Sequence, residues 1–249
     1  MGTISTIVIR ARKAIADKGD MEIRVSDWIE AVHFHFMSGE TVDGFENWFS
    51  KCRSLSLKDV KMSKLEEHTE VPPFGEGPED GEYIVCIWKD AEPTCFELRQ
   101  VWNGEKCTMD FYEKPFVGNL EELYDIPDNR QEFLDSLIEI RELAKKINAN
   151  EFFTSKFDVT IALLKGEQKG GFDNAPYFVK ELPDNMKDLL LAKRLTNIFG
   201  GMGFWNDEPY GESELMGIKE EFERITQRLI RNRRMAQFYV TNECWRADE

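Results

Sequence analysis

Apolar residues recur at helical spacing in the first stretch of the chain. Ile4, Val8 and Ile15 fall on one stripe, and Gly19 follows the last of them. A stripe of this period predicts an amphipathic helix over residues 4–18, and a glycine directly after it is typical of a helix C-terminus.

The next segment is dense in aromatic residues. Ser26, a helix-capping residue type, stands before DWIEAVHFHFM, so we predict a short helix at residues 26–39. A further helical turn or two is predicted at residues 43–53. We expect the aromatic side chains of both segments to form a packed core, because large exposed patches are rare on monomers; a surface patch is the alternative. These residues are Trp28, Phe34, Phe36, Phe45, Trp48 and Phe49.

Residues 65–82 have a different composition. They hold seven acidic residues, three prolines and three glycines, with no Lys or Arg. We predict a solvated acidic loop, since this mixture has neither helical nor strand periodicity.

The strongest β signal follows, in EYIVCIWKD, TCFELRQVW and KCTMDFYEK. These runs are rich in β-branched and aromatic residues. Asn103-Gly104 joins the last two and favours a type I′ hairpin turn, in which both central residues have positive φ. The sequence therefore predicts a three-stranded antiparallel meander at residues 82–113, covered by the N-terminal helices.

The period becomes helical after this sheet. Asp128 with Gln131 resembles a capping box, and apolar residues then follow at helical spacing. Residues 151–165 fit either a strand or a helix, and we choose a helix because both neighbouring segments are helical. Further helices are predicted after Asp184 and from near Leu215.

These elements together predict an α+β fold. N-terminal helices and a three-stranded antiparallel meander are followed by a C-terminal α-helical domain. We place the α+β domain at residues 1–127 and the helical domain at residues 128–249.

Charge narrows the choice of partner. The chain has 249 residues, and its 32 Lys and Arg face 47 Asp and Glu, a formal net charge of −15. With 41% hydrophobic residues, it is too apolar for a disordered chain and too polar for a membrane protein. Because its negative charge repels phosphate backbones and anionic lipids, we expect a protein partner with a basic surface; the alternative is that acidity only maintains solubility.

Cysteine usage indicates a reducing compartment. The five cysteines are odd in number and include no CxxC pair, so we predict reduced thiols. No apolar run approaches the length of a membrane span, and the N-terminal charges follow the apolar residues, the reverse of a signal peptide. We therefore expect a cytoplasmic protein.

Catalytic and cofactor motifs are absent from the sequence. It has no GxSxG, GxxxxGK[ST] or GxGxxG. On the helix predicted at residues 26–39, His33 and His35 would point about 200° apart, and His68 stands alone, so we predict no metal site and no cofactor.

Five arginines lie between residues 224 and 234. We interpret them as partners of nearby acidic residues; contact with phosphate or an acidic peptide is the alternative.

One local motif is a candidate binding loop. Three glycines occupy four positions in FGGMGFWND, residues 199–207. One interpretation is a tight corner between helices with Met202, Phe204 and Trp205 in the core, in which Asn206 and Asp207 bond free backbone groups. The other is a rigid exposed loop that binds a partner. Its candidate binding residues are Gly201, Met202, Trp205, Asn206 and Asp207.

This motif resembles the FGGMGSWND element of small uncharacterised bacterial helical proteins with immunity-like or accessory roles. Phe204 stands where that element has serine, and the following spacer, PYGESELMG, is longer. The resemblance covers residues 128–240 and implies a helical domain without known catalysis.

These observations favour a non-catalytic acidic protein-binding factor, such as an immunity-type inhibitor of a basic toxin or nuclease. Two alternatives remain open: an enzyme that uses His33 or His35 with acids from the sheet face, or a structural component of a bacterial or phage assembly. The oligomeric state is not determined by the sequence.

Overall fold

A computed structural model of the chain combines helices with a β-sheet, so the predicted mixed α and β content is confirmed. The acidic loop predicted at residues 65–82 lies outside the described residues except for Glu82, and His68 lies outside them as well. The structure describes residues 3–64, 82–168, 181–200 and 203–245.

Contacts group the described residues into two compact units. The first unit consists of residues 3–64, 82–126 and 241–245. The second consists of residues 127–168, 181–200 and 203–240.

The first unit contains two helices, a six-stranded sheet and a short 3-10 turn. The two helices occupy the positions that the sequence predicted for its first and third helical segments. The elements are α1 (Thr3–Ala16), β1 (Ile29–His35), β2 (Thr41–Asp43), α2 (Phe45–Ser54), β3 (Leu57–Lys64), β4 (Glu82–Trp88), β5 (Thr94–Asn103), β6 (Lys106–Pro115) and the turn Leu120–Leu123.

The sheet is mixed, with the strand order β2-β1-β6-β5-β4-β3. Strands β4, β5 and β6 pair antiparallel in chain order, at the positions of the three predicted strands. Strand β1 pairs parallel with β6, and β2 and β3 form the two edges. The sheet therefore has six strands rather than the three expected from sequence.

The helix predicted at residues 26–39 is wrong, because the middle of this segment, Ile29–His35, forms β1. Val32 and Phe34 are buried, whereas the alternating His33 and His35 are only partly buried. This alternation is the period of a strand with one face on the core. The sequence contains this alternation, whereas the helix prediction rested on Ser26 as a capping residue.

The apolar face of the sheet packs against α2. Phe34 of β1 stacks on Phe111 of β6 at 4.4 Å and on Trp48 of α2 at 4.8 Å between ring centroids. Phe96 of β5 meets the Trp48 ring edge to face at 5.8 Å. Because these rings are fully buried, they form a continuous aromatic core under the sheet.

The turn between β5 and β6 differs in detail from the predicted type I′ turn. Asn103 pairs with Lys106, so Gly104 and Glu105 are the central residues. Gly104 has a φ of +63°, while Asn103 and Glu105 do not have positive φ. Glycine at the first central position with positive φ is the pattern of a type II′ turn, which also suits a two-residue hairpin.

The second unit is helical in its described residues. The helix chosen for residues 151–165 is confirmed. The last helix begins at Lys219 rather than near Leu215, and the spacer before it forms a helix of its own. The elements are α3 (Arg130–Lys146), α4 (Glu151–Leu164), α5 (Asp184–Leu195), α6 (Glu208–Leu215) and α7 (Lys219–Glu243).

Candidate functional site

The tryptophan of the glycine-rich loop belongs to the helical core. Trp205 is fully buried, and its ring stacks on Phe222 of α7 with 5.2 Å between centroids. Its indole Nε1 donates a hydrogen bond to Thr226 Oγ1 at 2.9 Å. In this conformation the ring is not presented to a partner.

Gly201 and Met202, the first two candidate binding residues of the loop, lie outside the described residues.

Asn206 and Asp207 hold the backbone of the same loop. Asn206 Oδ1 accepts from the Gly200 N–H at 3.0 Å, and Asn206 Nδ2 donates to the Gly200 carbonyl at 2.7 Å. Asp207 Oδ2 accepts from the N–H of Gly203, whose φ is +79°. Both side chains therefore stabilise the corner between helices. A binding role for the loop stays a prediction.

The polar face of the sheet brings together two histidines and two carboxylates. His33 and His35 lie two residues apart on β1, so they share one face of the sheet. Asp43 of β2 and Asp110 of β6 are both register partners of His33. The sequence prediction of a helix placed the two rings on opposite sides, and only the strand puts them together.

His33 has the geometry of a proton acceptor held by a carboxylate. Its Nδ1 lies 2.7 Å from Asp43 Oδ1. Because a carboxylate only accepts, Nδ1 carries the hydrogen, and a neutral ring then has its lone pair on Nε2. Within the described residues no hydrogen bond reaches that Nε2, and the side chain is partly exposed. This arrangement suits general-base chemistry.

His35 is fixed by two hydrogen bonds instead. Its Nδ1 is 3.0 Å from Thr41 Oγ1, and its Nε2 is 3.1 Å from Asp110 Oδ1. The ring stacks on Tyr112 with 4.6 Å between centroids, and the Arg99 guanidinium lies 4.8 Å from the Tyr112 ring centroid. Three planar groups from β1, β6 and β5 thus form a stack across the polar face.

Two tryptophans form an exposed pair at one end of the sheet. Trp28, which precedes β1, stacks on Trp102 of β5 with 5.4 Å between centroids and 12° between the ring planes. Trp28 is 38% exposed and Trp102 is 56% exposed. The expectation that Trp28 belongs to the core is therefore wrong. The other five aromatic residues assigned to the core are buried: Phe34, Phe36, Phe45, Trp48 and Phe49.

The thiols are poor candidates for nucleophilic catalysis. All five cysteines are free and buried. Burial raises the pKa of Cys95 to about 11 and that of Cys244 to about 12. Burial, together with a hydrogen bond to Cys52, also raises the pKa of Cys86. Since the thiolate is the reactive form, burial and the raised pKa values of Cys86, Cys95 and Cys244 disfavour nucleophilic attack by these thiols.

The arginines near the C-terminus make internal contacts. Arg224 and Arg228 donate to the two carboxylate oxygens of Glu139 at 2.9 and 2.7 Å. Arg233 is buried, and its Nε donates to Thr196 Oγ1 at 3.1 Å. These contacts fit the interpretation that the cluster pairs with groups of its own domain.

A metal site was not predicted from the sequence. Among the described residues, no group of three or more His, Cys, Asp or Glu side chains is placed to hold a metal ion. No helix in the same part of the chain has the length and apolar character needed to cross a membrane.

Comparisons with protein-family models, curated proteins and solved structures find no match to this chain.

Proposed function

We propose that this protein is a non-catalytic acidic binding factor, an immunity-type inhibitor of a basic toxin or nuclease. The observation that carries the proposal is the uneven distribution of charge. Residues 1–126 have 25 Asp and Glu against 14 Lys and Arg, a net charge of −11, whereas the rest of the chain has 22 against 18. The electrostatic field of this negative charge attracts a basic partner and speeds its association.

Internal pairing of cations supports this proposal. In the second unit, Arg224 and Arg228 share Glu139 as their partner, and Arg141 pairs with Asp158 at 3.1 Å. Pairing with a carboxylate weakens the attraction of each arginine to phosphate. A protein with surface Lys and Arg is therefore a better partner than a nucleic acid.

Two further observations accord with an immunity-type role. The FGGMGFWND motif resembles an element of immunity-like bacterial proteins, and its described residues Gly200 and Asn206 are joined by a hydrogen bond in the segment between helices α5 and α6. The cysteines are free thiols, as expected for the cytoplasmic location that we include in the proposal.

Affinity capture from a native extract tests the binding function. We expect the immobilised protein to retain a basic protein at low salt, with an association rate that falls steeply as salt rises. A variant with exposed Glu30, Glu92, Glu105 and Glu121 changed to Gln should associate roughly fivefold more slowly at low salt. Recovery of no protein partner, or of acidic partners only, would contradict the proposal.

One observation favours a second candidate function, an enzyme that uses the polar face of the sheet. The 2.7 Å contact between His33 Nδ1 and Asp43 Oδ1 orients Nε2 to take a proton from water or a hydroxyl group. Such a base would serve hydrolysis of an ester or a phosphodiester.

Two synthetic substrates test this second candidate: p-nitrophenyl acetate and bis-p-nitrophenyl phosphate. If His33 is the base, His33→Gln abolishes turnover, and Asp43→Asn lowers it by about 10²-fold or more. Equal rates for the wild type and His33→Gln would exclude catalysis of these reactions by His33.

A further inference from the structure

The stacked pair of Trp28 and Trp102 leaves large aromatic surfaces in solvent. The two rings cover one face of each other, and the exposed fractions of 38% and 56% show that the remaining surfaces are open. Tryptophan is enriched among the residues that contribute most to protein–protein binding. An open pair is therefore a candidate docking point.

The backbone around the pair is held by the sheet. The Trp28 carbonyl accepts a hydrogen bond from the Cys107 N–H at 2.8 Å, and Trp102 is the register partner of Cys107 on β5. Lys106 Nζ donates to the Asp27 carbonyl at 2.5 Å, which ties the segment before β1 to β6. Because the rings are positioned before binding, little conformational entropy is lost when a partner docks.

Acidic side chains stand near both rings in the chain. Asp27 directly precedes Trp28, Glu30 follows it by two residues, and Glu105 lies in the turn after Trp102. All three are exposed, and the charge of residues 1–126 is −11. Aromatic faces attract ammonium and guanidinium groups, and surrounding carboxylates strengthen that attraction.

We infer that the Trp28–Trp102 pair is where the basic partner docks, with an Arg or Lys side chain of that partner lying against the exposed indole rings. The inference rests on the proposed function and adds the site and the chemistry of the group it takes. Trp102, the more exposed ring, forms the larger part of this surface.

An acetylated and amidated octa-arginine peptide serves as the probe, with binding measured by calorimetry on the full chain at low salt. We expect wild-type protein to bind it and the double variant Trp28→Ala/Trp102→Ala to bind at least tenfold more weakly. The conservative Trp102→Phe should weaken binding by about two- to fourfold, because phenylalanine attracts cations less strongly than tryptophan.

Tyr112→Ala is the matched control, since Tyr112 is 37% exposed on the same sheet. It should bind the peptide within twofold of wild type.

Equal binding by wild type and a folded double variant would overturn the docking site while the acidic binding function stands. If wild type does not bind octa-arginine at low salt, the proposed function fails and the docking site fails with it. Thermal unfolding of each variant separates loss of binding from loss of folding, and Trp102→Phe keeps the test valid if the double variant unfolds.

Discussion

At the scale of single residues, Asn206 shows how a side chain replaces missing backbone contacts. Its amide group bonds both the N–H and the carbonyl of Gly200, as a neighbouring strand would. The sequence indicated that Asn206 and Asp207 could bond free backbone groups in this loop. It did not determine which groups, because that depends on how the loop closes.

We predict that Trp205→Ala destabilises the protein by about 3–5 kcal/mol, because it removes a fully buried ring and its hydrogen bond to Thr226. Chemical denaturation measures the loss. Phe152→Ala, at an exposed position of the same unit, should cost about 1 kcal/mol or less. Similar losses for the two variants would show that Trp205 is not a core residue.

At the scale of elements, the edge strand β3 is completed by a side chain. Asn242, near the end of α7, is fully buried within the first unit. Its Oδ1 accepts from the Met62 N–H at 2.7 Å, and its Nδ2 donates to the Met62 carbonyl at 2.8 Å. The amide thus satisfies two backbone groups that an edge strand would otherwise leave without a partner.

We therefore expect Asn242→Ala to lower the free energy of unfolding by about 2–4 kcal/mol, because two buried backbone groups lose their partners. It should also speed hydrogen exchange at the Met62 amide. Asn47→Ala removes one exposed hydrogen bond to the Asp43 carbonyl and should change stability by about 0.5 kcal/mol or less. Unchanged hydrogen exchange at the Met62 amide in Asn242→Ala would contradict the conclusion that Asn242 stabilises the edge strand β3.

The ion pairs between α3 and α7 make stability depend on pH. Burial acts to raise the pKa of Glu139, but hydrogen bonds from Arg228 and Arg224 outweigh it, so this pKa is lowered from 4.5. Folding then favours the charged carboxylate. Its contribution is fully present above pH 4.5 and is lost as the pH falls through the lowered pKa of the folded state.

Glu139→Gln should accordingly cost about 1 kcal/mol at pH 7, a small value because Arg224 is exposed and Arg228 is partly exposed. Urea unfolding of the wild type and the variant at several pH values measures the difference. We expect it to shrink as the solution is acidified below pH 4.5. A difference that grows with acidification would contradict the sign of this linkage.

At the scale of the whole molecule, burial of every thiol links cysteine reactivity to unfolding. All five cysteines are buried, and burial raises the pKa of Cys95, Cys107 and Cys244. We predict that Ellman's reagent labels less than one thiol per native chain within minutes and all five in denaturant. Rapid labelling of a native thiol would identify a cysteine exposed by local opening.

The sequence by itself determined the parts of the fold that depend on local pattern. The apolar stripes of α1 and α3 and the Asn103-Gly104 hairpin depend on residues that are close together in the chain. Helical and hairpin contacts join near neighbours, so periodicity and turn residues are enough to specify them. The same holds for the net charge, which no folding event changes.

Only the tertiary structure decided which distant residues meet. The parallel pairing of β1 with β6 places His35 beside Asp110, 75 positions further along the chain, and Met62 meets Asn242 across 180 positions. The assignment of Trp28 to the core was wrong, because the density of aromatic residues along the chain does not show which of them face solvent. These contacts depend on long-range burial and strand pairing, and local periodicity carries no information about either.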